Sequence, residues 1–216
     1  MADFLSEKGA NKLALFVAKS ANSQTYAKFL EEKFTENGGS IVFHVDYDEN
    51  NSDLRTDIAK AKNSGAEAFY ISATLGNDGG TILRQIRESG FGGFVTGSVG
   101  IESAEFIKAA GSFADTMIYS SPLFDLDGEN TKEYANKYRA KYNKDSDAFS
   151  ANAYDAINLI SMAIDKCGGD KPGCIKDFLY QIKDYPGAGG LTTFDKNGDV
   201  LKPIMIKTIK DGKFVP

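Results

Sequence analysis

Short apolar runs alternate with amphipathic stretches through the first 120 residues. Leu13-Ala-Leu-Phe-Val17 is the kind of run that a parallel sheet buries on both faces. Tyr26, Phe29, Leu30 and Phe34 then recur at helical spacing until Gly38-Gly39. A second strand is predicted at Ile41–Val45, and Asn51-Ser52-Asp53 offers cap oxygens to a helix carrying Leu54, Ile58 and Ala61. The third unit pairs a strand at Ala68–Ser72 with a helix striped by Ile82, Leu83 and Ile86. A fourth strand at Phe94–Thr96 leads to a short helix with Phe106 and Ile107, and a fifth strand falls at Thr116–Ser120. Same-direction neighbours need crossover helices, and right-handed crossovers place helices on both faces. The predicted class is α/β, a doubly wound parallel sheet.

After Pro122 the rhythm changes. Residues 123–130 read as a polar link, followed by helices at about Thr131–Tyr142, through Phe149, Ala153, Ala156, Ile157, Ile160 and Ile164, and at roughly Cys174–Lys183. The extended segments left are Gly190–Phe194, an Asp195–Asp199 turn, and Pro203–Ile209. This part is mostly helical and short of strands.

Net charge −5 and pI ≈ 5.0, with scattered Lys and Arg, leave no basic face for nucleic acid. No apolar run has the length of a membrane span, and Met1-Ala-Asp-Phe-Leu-Ser-Glu-Lys8 lacks the layout of a signal peptide. Catalysis finds little footing. His44 is the one histidine and reads as a strand residue; Gly76-Asn-Asp-Gly-Gly80 lacks the lysine and spacing of a phosphate loop and reads as close backbone approach. Asp46–Asn51 and Asp195–Asp199 imitate calcium loops incompletely and read as turns. No cofactor and no metal site is expected. Cys167 and Cys174 flank a flexible Gly-Gly-Asp-Lys-Pro-Gly and read as a disulfide, against two free thiols or a metal site.

In open α/β sheets ligands sit outside the carboxyl ends of the strands, which makes the loops at Lys19–Thr25, Thr74–Gly80 and Thr96–Glu102 the candidate walls. Ser23, Thr74, Leu75, Gly76, Ser98 and Val99 are the candidate ligand-binding residues there. Backbone N–H groups at the following helix starts would suit a carboxylate.

The order of Glu7–Leu15, Asn51-Ser-Asp-Leu54, Ile82-Leu-Arg-Gln85, Ala104-Glu-Phe106 and Tyr119-Ser-Ser-Pro122 resembles the type I periplasmic binding proteins of Leu/Ile/Val ABC importers. Tyr138–Tyr142, Phe149–Asp155, Thr193–Gly198 and Lys210–Phe214 continue the resemblance over nearly the whole chain. It implies a solute-binding protein, not an enzyme, that captures an amino acid or related carboxylate between two lobes by hinge closure and docks on an ABC permease. A ligand-sensing receptor domain of the same fold is the alternative. Residues 1–121 and 202–216 would form lobe two, and 122–201 the C-terminal part of lobe one, with the opening part of that lobe expected to be missing. The uncovered helices over 131–183 would then favour a homodimer or domain exchange. The resemblance implies a periplasmic or extracellular parent protein, in keeping with an oxidised cysteine pair.

Two aromatics carry over from the family pattern. Tyr26 matches the aromatic of a Tyr-Gly segment, with Ala27 in place of the glycine, and Phe149 matches one that lobe one lays against the solute. Core packing is the other reading of both. Val99 stands where the family's amino-acid binders often place an acidic residue for the ligand ammonium; Asp78 or Glu102 would have to substitute.

Overall fold

The computed structural model describes residues 1–124 and 127–215. Asp125 and Leu126, inside the link expected over 123–130, lie outside the described residues. The chain divides into two compact units, Met1–Ser121 with Met205–Pro216, and Pro122–Ile204. The return to the first unit thus falls at 204/205, not at the expected 201/202.

The first unit opens with a helix the apolar pattern did not announce, α1 (Ala2–Glu7), whose Ala2 and Leu5 are buried. Then come β1 (Lys12–Ala18), α2 (Ala21–Glu36), β2 (Ser40–Tyr47), α3 (Arg55–Asn63), β3 (Ala68–Ser72), α4 (Gly76–Glu88), β4 (Phe94–Gly97), α5 (Ala104–Ala110) and β5 (Met117–Pro122). The second unit holds α6 (Glu129–Tyr142), α7 (Ala148–Cys167), α8 (Pro172–Tyr180), β6 (Tyr185–Gly187), β7 (Gly190–Phe194) and β8 (Val200–Leu201). The chain returns as β9 (Ile204–Lys210) and β10 (Lys213–Val215).

In the first unit the sheet order is β10-β9-β5-β4-β3-β1-β2. The pairs β1/β2, β1/β3, β3/β4 and β4/β5 are parallel, and β10 pairs antiparallel with β9. Alternation along β1 shows the double winding. Leu13, Leu15 and Val17 join Leu5, Ala27, Leu30 and Phe34 on one face, while Ala14, Phe16 and Ala18 join Ile58, Ile82, Leu83 and Phe106 on the other. Burying each such large side chain contributes about 1.5–3 kcal/mol.

Two local expectations need correction, and a third is met. The buried stripe of α2 is Ser23, Ala27, Leu30 and Phe34; Tyr26 and Phe29 point to solvent. α3 takes no cap from Asn51–Asp53, because buried Gln85 does that work: its Oε1 accepts from Leu54 N at 2.9 Å and its Nε2 donates to Ser52 O at 3.0 Å. The glycines of α4 serve close approach, since a Cβ on Gly80 would collide with Phe106 O and Ala109 of α5.

In the second unit β6, β7 and β8 form an antiparallel sheet in that order. Asp147 and Ser150 cap α7 reciprocally, with bonds of 2.7 and 3.0 Å, and Gly168 ends it in the left-handed conformation at φ 64. Cys167 and Cys174 are joined as a disulfide with Cα atoms 5.9 Å apart, tying the end of α7 to α8. The third helix begins at Pro172, earlier than expected. The apolar series at helical spacing, Phe149, Ala153, Ala156, Ile157, Ile160 and Ile164, is exposed. The buried stripe is Ala151, Asp155, Leu159, Ala163 and Cys167. Its side chains are mostly small, which lets the β6–β7 connection lie close against α7.

Candidate functional site

The parallel strands β1, β3 and β4 deliver their carboxyl ends side by side, and a chain of hydroxyls links the loops that follow. Ser20, at the cap of α2, accepts from Ser23 N at 3.3 Å and meets Thr74 Oγ1 at 2.6 Å. Ser23 Oγ lies 3.2 Å from the same Thr74 oxygen. Beneath them Ser72 Oγ donates to Ser23 O at 2.9 Å. Tyr70 is buried in β3, and burial pushes its phenol well above the ordinary tyrosine value, so it stays neutral.

Of the residues named from sequence, Ser23 and Thr74 are brought into this network, while Ser98 is buried directly after β4 with its N–H donating to Ile71 O at 3.4 Å. Leu75 and Gly76 adjoin it at the start of α4, which has no side-chain cap, and Val99 opens a 3-10 turn over Val99–Ile101 directly after Ser98. Thr74 is exposed, Leu75, Gly76 and Val99 are half-buried, and Ser23 and Ser98 are buried supports. Tyr26 stands on the first turns of α2 and is 47% exposed; Phe149, in the second unit on the first turn of α7, is 59% exposed. Core packing therefore accounts for neither. Both are large apolar surfaces left in water, each next to a helix start.

Sequence reasoning missed Ser20 and Ser72 as members of the network, although a hydroxyl at each of these strand ends was the signal available. It also missed Lys207. That ammonium donates to Glu102 Oε1 at 2.6 Å, lies 5.5 Å from the centre of the Tyr119 ring, and is joined at Glu102 by Ser121 Oγ at 3.5 Å. Glu102 is thus committed to an ion pair and cannot serve as the spare carboxylate the sequence offered. Asp78 fares alike: it is buried and accepts from Asn50 N at 2.8 Å.

The second unit has a cavity of about 380 Å³ lined by Asn152, Asp155, Leu159, Phe194, Val200 and Lys202 among others. Its charged groups are engaged in holding the backbone. Asp155 accepts from Ala188 N and Gly189 N, both at 2.7 Å, and Lys202 Nζ donates to Asn152 Oδ1 at 2.7 Å and Gly189 O at 2.8 Å. Burial lowers the Lys202 pKa from its ordinary value, and nearby Asp155 partly offsets this. His44 stands on the edge strand β2 with Nε2 3.2 Å from Asp46 Oδ1, and Asp46 also accepts from Gln24 at 2.8 Å. Among the described residues no group of His, Cys, Asp or Glu is arranged to hold a metal ion, and no helix is long and apolar enough to cross a membrane.

Residues 1–213 match the periplasmic binding protein family. The chain belongs to that family. It is 26% identical over 218 residues to Leu/Ile/Val-binding protein homolog 3 of Brucella melitensis, covering 100% of this chain and 59% of that protein. It is 24% identical to the leucine-, isoleucine-, valine-, threonine- and alanine-binding protein of Pseudomonas aeruginosa, over 91% of this chain and 52% of that protein. Among solved structures, the leucine-binding protein LivK of Thermotoga maritima superposes with a TM-score of 0.90 at 25% identity, over 99% of this chain and 62% of that one. LivJ of Streptococcus pneumoniae, solved in complex with isoleucine, gives 0.82 at 28% identity, with coverages of 99% and 61%. The chain therefore spans about 52–59% of the length of these curated relatives. The parallel, doubly wound unit is the fold these relatives share.

Proposed function

We propose that the chain is the solute-binding component of an ABC-type importer, and that the carboxyl-end loops of its first unit form a wall of the site for a small polar solute, an amino acid or related carboxylate. The observation that carries this reading is the hydroxyl network of Ser20, Ser23 and Thr74 at the strand ends, with Ser72 holding Ser23 O from beneath. Each member is fixed by another, so the exposed Thr74 hydroxyl is held ready for a ligand without further ordering. Ser23, Thr74, Leu75, Gly76, Ser98 and Val99 make up the wall, and Tyr26 of the same unit supplies aromatic surface to the solute; the exposed Phe149 is the candidate ligand aromatic of the second unit. In this reading the protein binds and releases and does no chemistry, its mechanism is hinge closure, and its partner is a permease. A periplasmic or extracellular setting fits the disulfide. The family of the chain and the amino acids for which its relatives are named support the same class.

A thermal-shift screen of amino acids, small carboxylates and amides tests the proposal. A ligand at about 100 times its Kd adds about 2.7 kcal/mol, which moves the midpoint by several degrees in a domain of this size. Thr74→Val should abolish that shift while leaving the unliganded midpoint in place. A shift that survives Thr74→Val removes the wall from the site. Self-association through the exposed apolar residues of the second unit belongs to the same reading. Size-exclusion with light scattering should find a dimer at micromolar protein, and a clean monomer would reject it.

A further inference from the structure

The charge of the proposed wall can be read residue by residue. Its three loops, 19–25, 74–80 and 96–102, contain two carboxylates, Asp78 and Glu102. Asp78 is 1% exposed; Oδ2 accepts from Asn50 N, and Oδ1 is sealed from solvent without a partner. Glu102 is held by Lys207 at 2.6 Å in a pair whose side chains are only 22% and 12% exposed. The loops contain one cation, Lys19, and it lies 3.0 Å from Asp48. Apart from the exposed Lys19–Asp48 pair, what the wall offers a solute is therefore uncharged: Thr74 and Ser20 hydroxyls, the uncapped start of α4, and the half-buried side chain of Val99.

Such a surface discriminates by sign. A protonated amine placed against it loses its water and meets no carboxylate, and Val99 offers it no acceptor. A carboxylate or amide oxygen can instead accept from the hydroxyls and from the first N–H groups of α4, where the helix carries partial positive charge. We infer that the solute is a small organic acid or amide without a protonated amine, rather than an α-amino acid. The inference rests on the solute-binding reading of this same wall and narrows its ligand class.

Matched pairs that differ only in the amine decide it. The 216-residue chain is titrated calorimetrically with leucine and 4-methylpentanoate, phenylalanine and 3-phenylpropanoate, alanine and propanoate, and the amides of the three acids. At least one amine-free compound should bind, and bind about 100-fold more tightly than its amino-acid partner, as expected when an ammonium is desolvated without a counter-charge. Val99→Glu, which adds a carboxylate beside Ser98, should reverse that order. If this variant does not fold, Asn77→Asp places the charge on an exposed residue of the same wall, keeps the Thr74 hydroxyl and serves the same purpose. An amino acid that binds as tightly as its amine-free partner overturns the inference and leaves the solute-binding reading standing. Failure of every compound to bind overturns both. A folded charge variant with unchanged preference shows that the wall does not read the solute's charge and also overturns the inference.

Discussion

The two units of this chain are written in similar apolar patterns and bury them very differently. In the first, the largest fully buried side chains, Tyr119, Phe16, Phe34, Phe69 and Phe106 among them, fill both faces of the parallel sheet. In the second, the buried apolar residues of the helices are Ala151, Leu159, Ala163 and Cys167, while Phe149, Ile157, Ile160, Met162, Ile164, Leu191, Val200, Leu201 and Ile204 are exposed. An amphipathic helix supplies half of a core; the other half must come from a layer laid against it. Unit one has that layer on both sides of its sheet. The β6-β7-β8 sheet of unit two is too small to cover α7, and capping, a disulfide and buried polar contacts hold the unit together instead.

Core truncation should expose this contrast most strongly. Phe16→Ala is expected to cost about 3–5 kcal/mol, because Phe16 is fully buried and its ring contacts Phe43 and Phe69. Ile157→Ala, at 68% exposure, should stay within about 0.5 kcal/mol. Urea titration of both variants measures the difference. Equal losses would mean that Ile157 is covered and that the two units are not distinct in packing.

Reduction of the disulfide comes next. Cys167 and Cys174 are seven residues apart, a short loop whose closure stabilises by roughly 2–3 kcal/mol. Since the link lies wholly in the second unit, dithiothreitol should lower the melting of that unit and spare the first. Hydrogen exchange can resolve the two: faster exchange in α7 and α8 with β1 and β3 unchanged is the expected result. Asp155→Asn should follow at about 1–2 kcal/mol, because an amide nitrogen would face the Ala188 or Gly189 N–H that the carboxylate now accepts. A neutral outcome in urea would show that water reaches those amides.

The first unit was largely legible in the sequence, because its strands and helices bury residues at the periods that give them away. Errors arose where a tertiary partner overrode a local signal. Gln85 replaced the cap expected from Asn51–Asp53, and Tyr26 and Phe29 fell outside the buried stripe once Ser23 and Ala27 had packed against the sheet. In α7 the large apolar residues lie exposed, and the stripe that is buried includes Asp155, bonded to two backbone N–H groups that no periodicity announces. Part of the candidate wall could be read from strand ends and hydroxyl-rich loops, including Ser23, Thr74 and Ser98. The commitment of Glu102 to Lys207 spans 105 residues and could not be.

The smallest expected effect concerns the turn of the second unit, where local polar bonds substitute for a core. Asp195 accepts from Asn197 N at 2.8 Å and Asp199 N at 2.9 Å, and the Asp199 N–H first of all holds its carboxyl below the ordinary value of 3.8. A depressed carboxyl pKa means that the bonds contribute fully above the unfolded value and are lost as pH falls through the folded one. The β7–β8 hairpin should therefore loosen only in acid, below about pH 4, where Phe16 and Phe69, being uncharged, lose nothing. Amide exchange at Asn197 and Asp199 should accelerate relative to β1 on acidification. In Asp195→Asn, which keeps one acceptor oxygen and cannot titrate, that pH dependence should vanish. If the variant and the parent respond identically to acid, the turn is set by its backbone alone, with Gly198 at φ +90 as the determinant rather than the carboxylate.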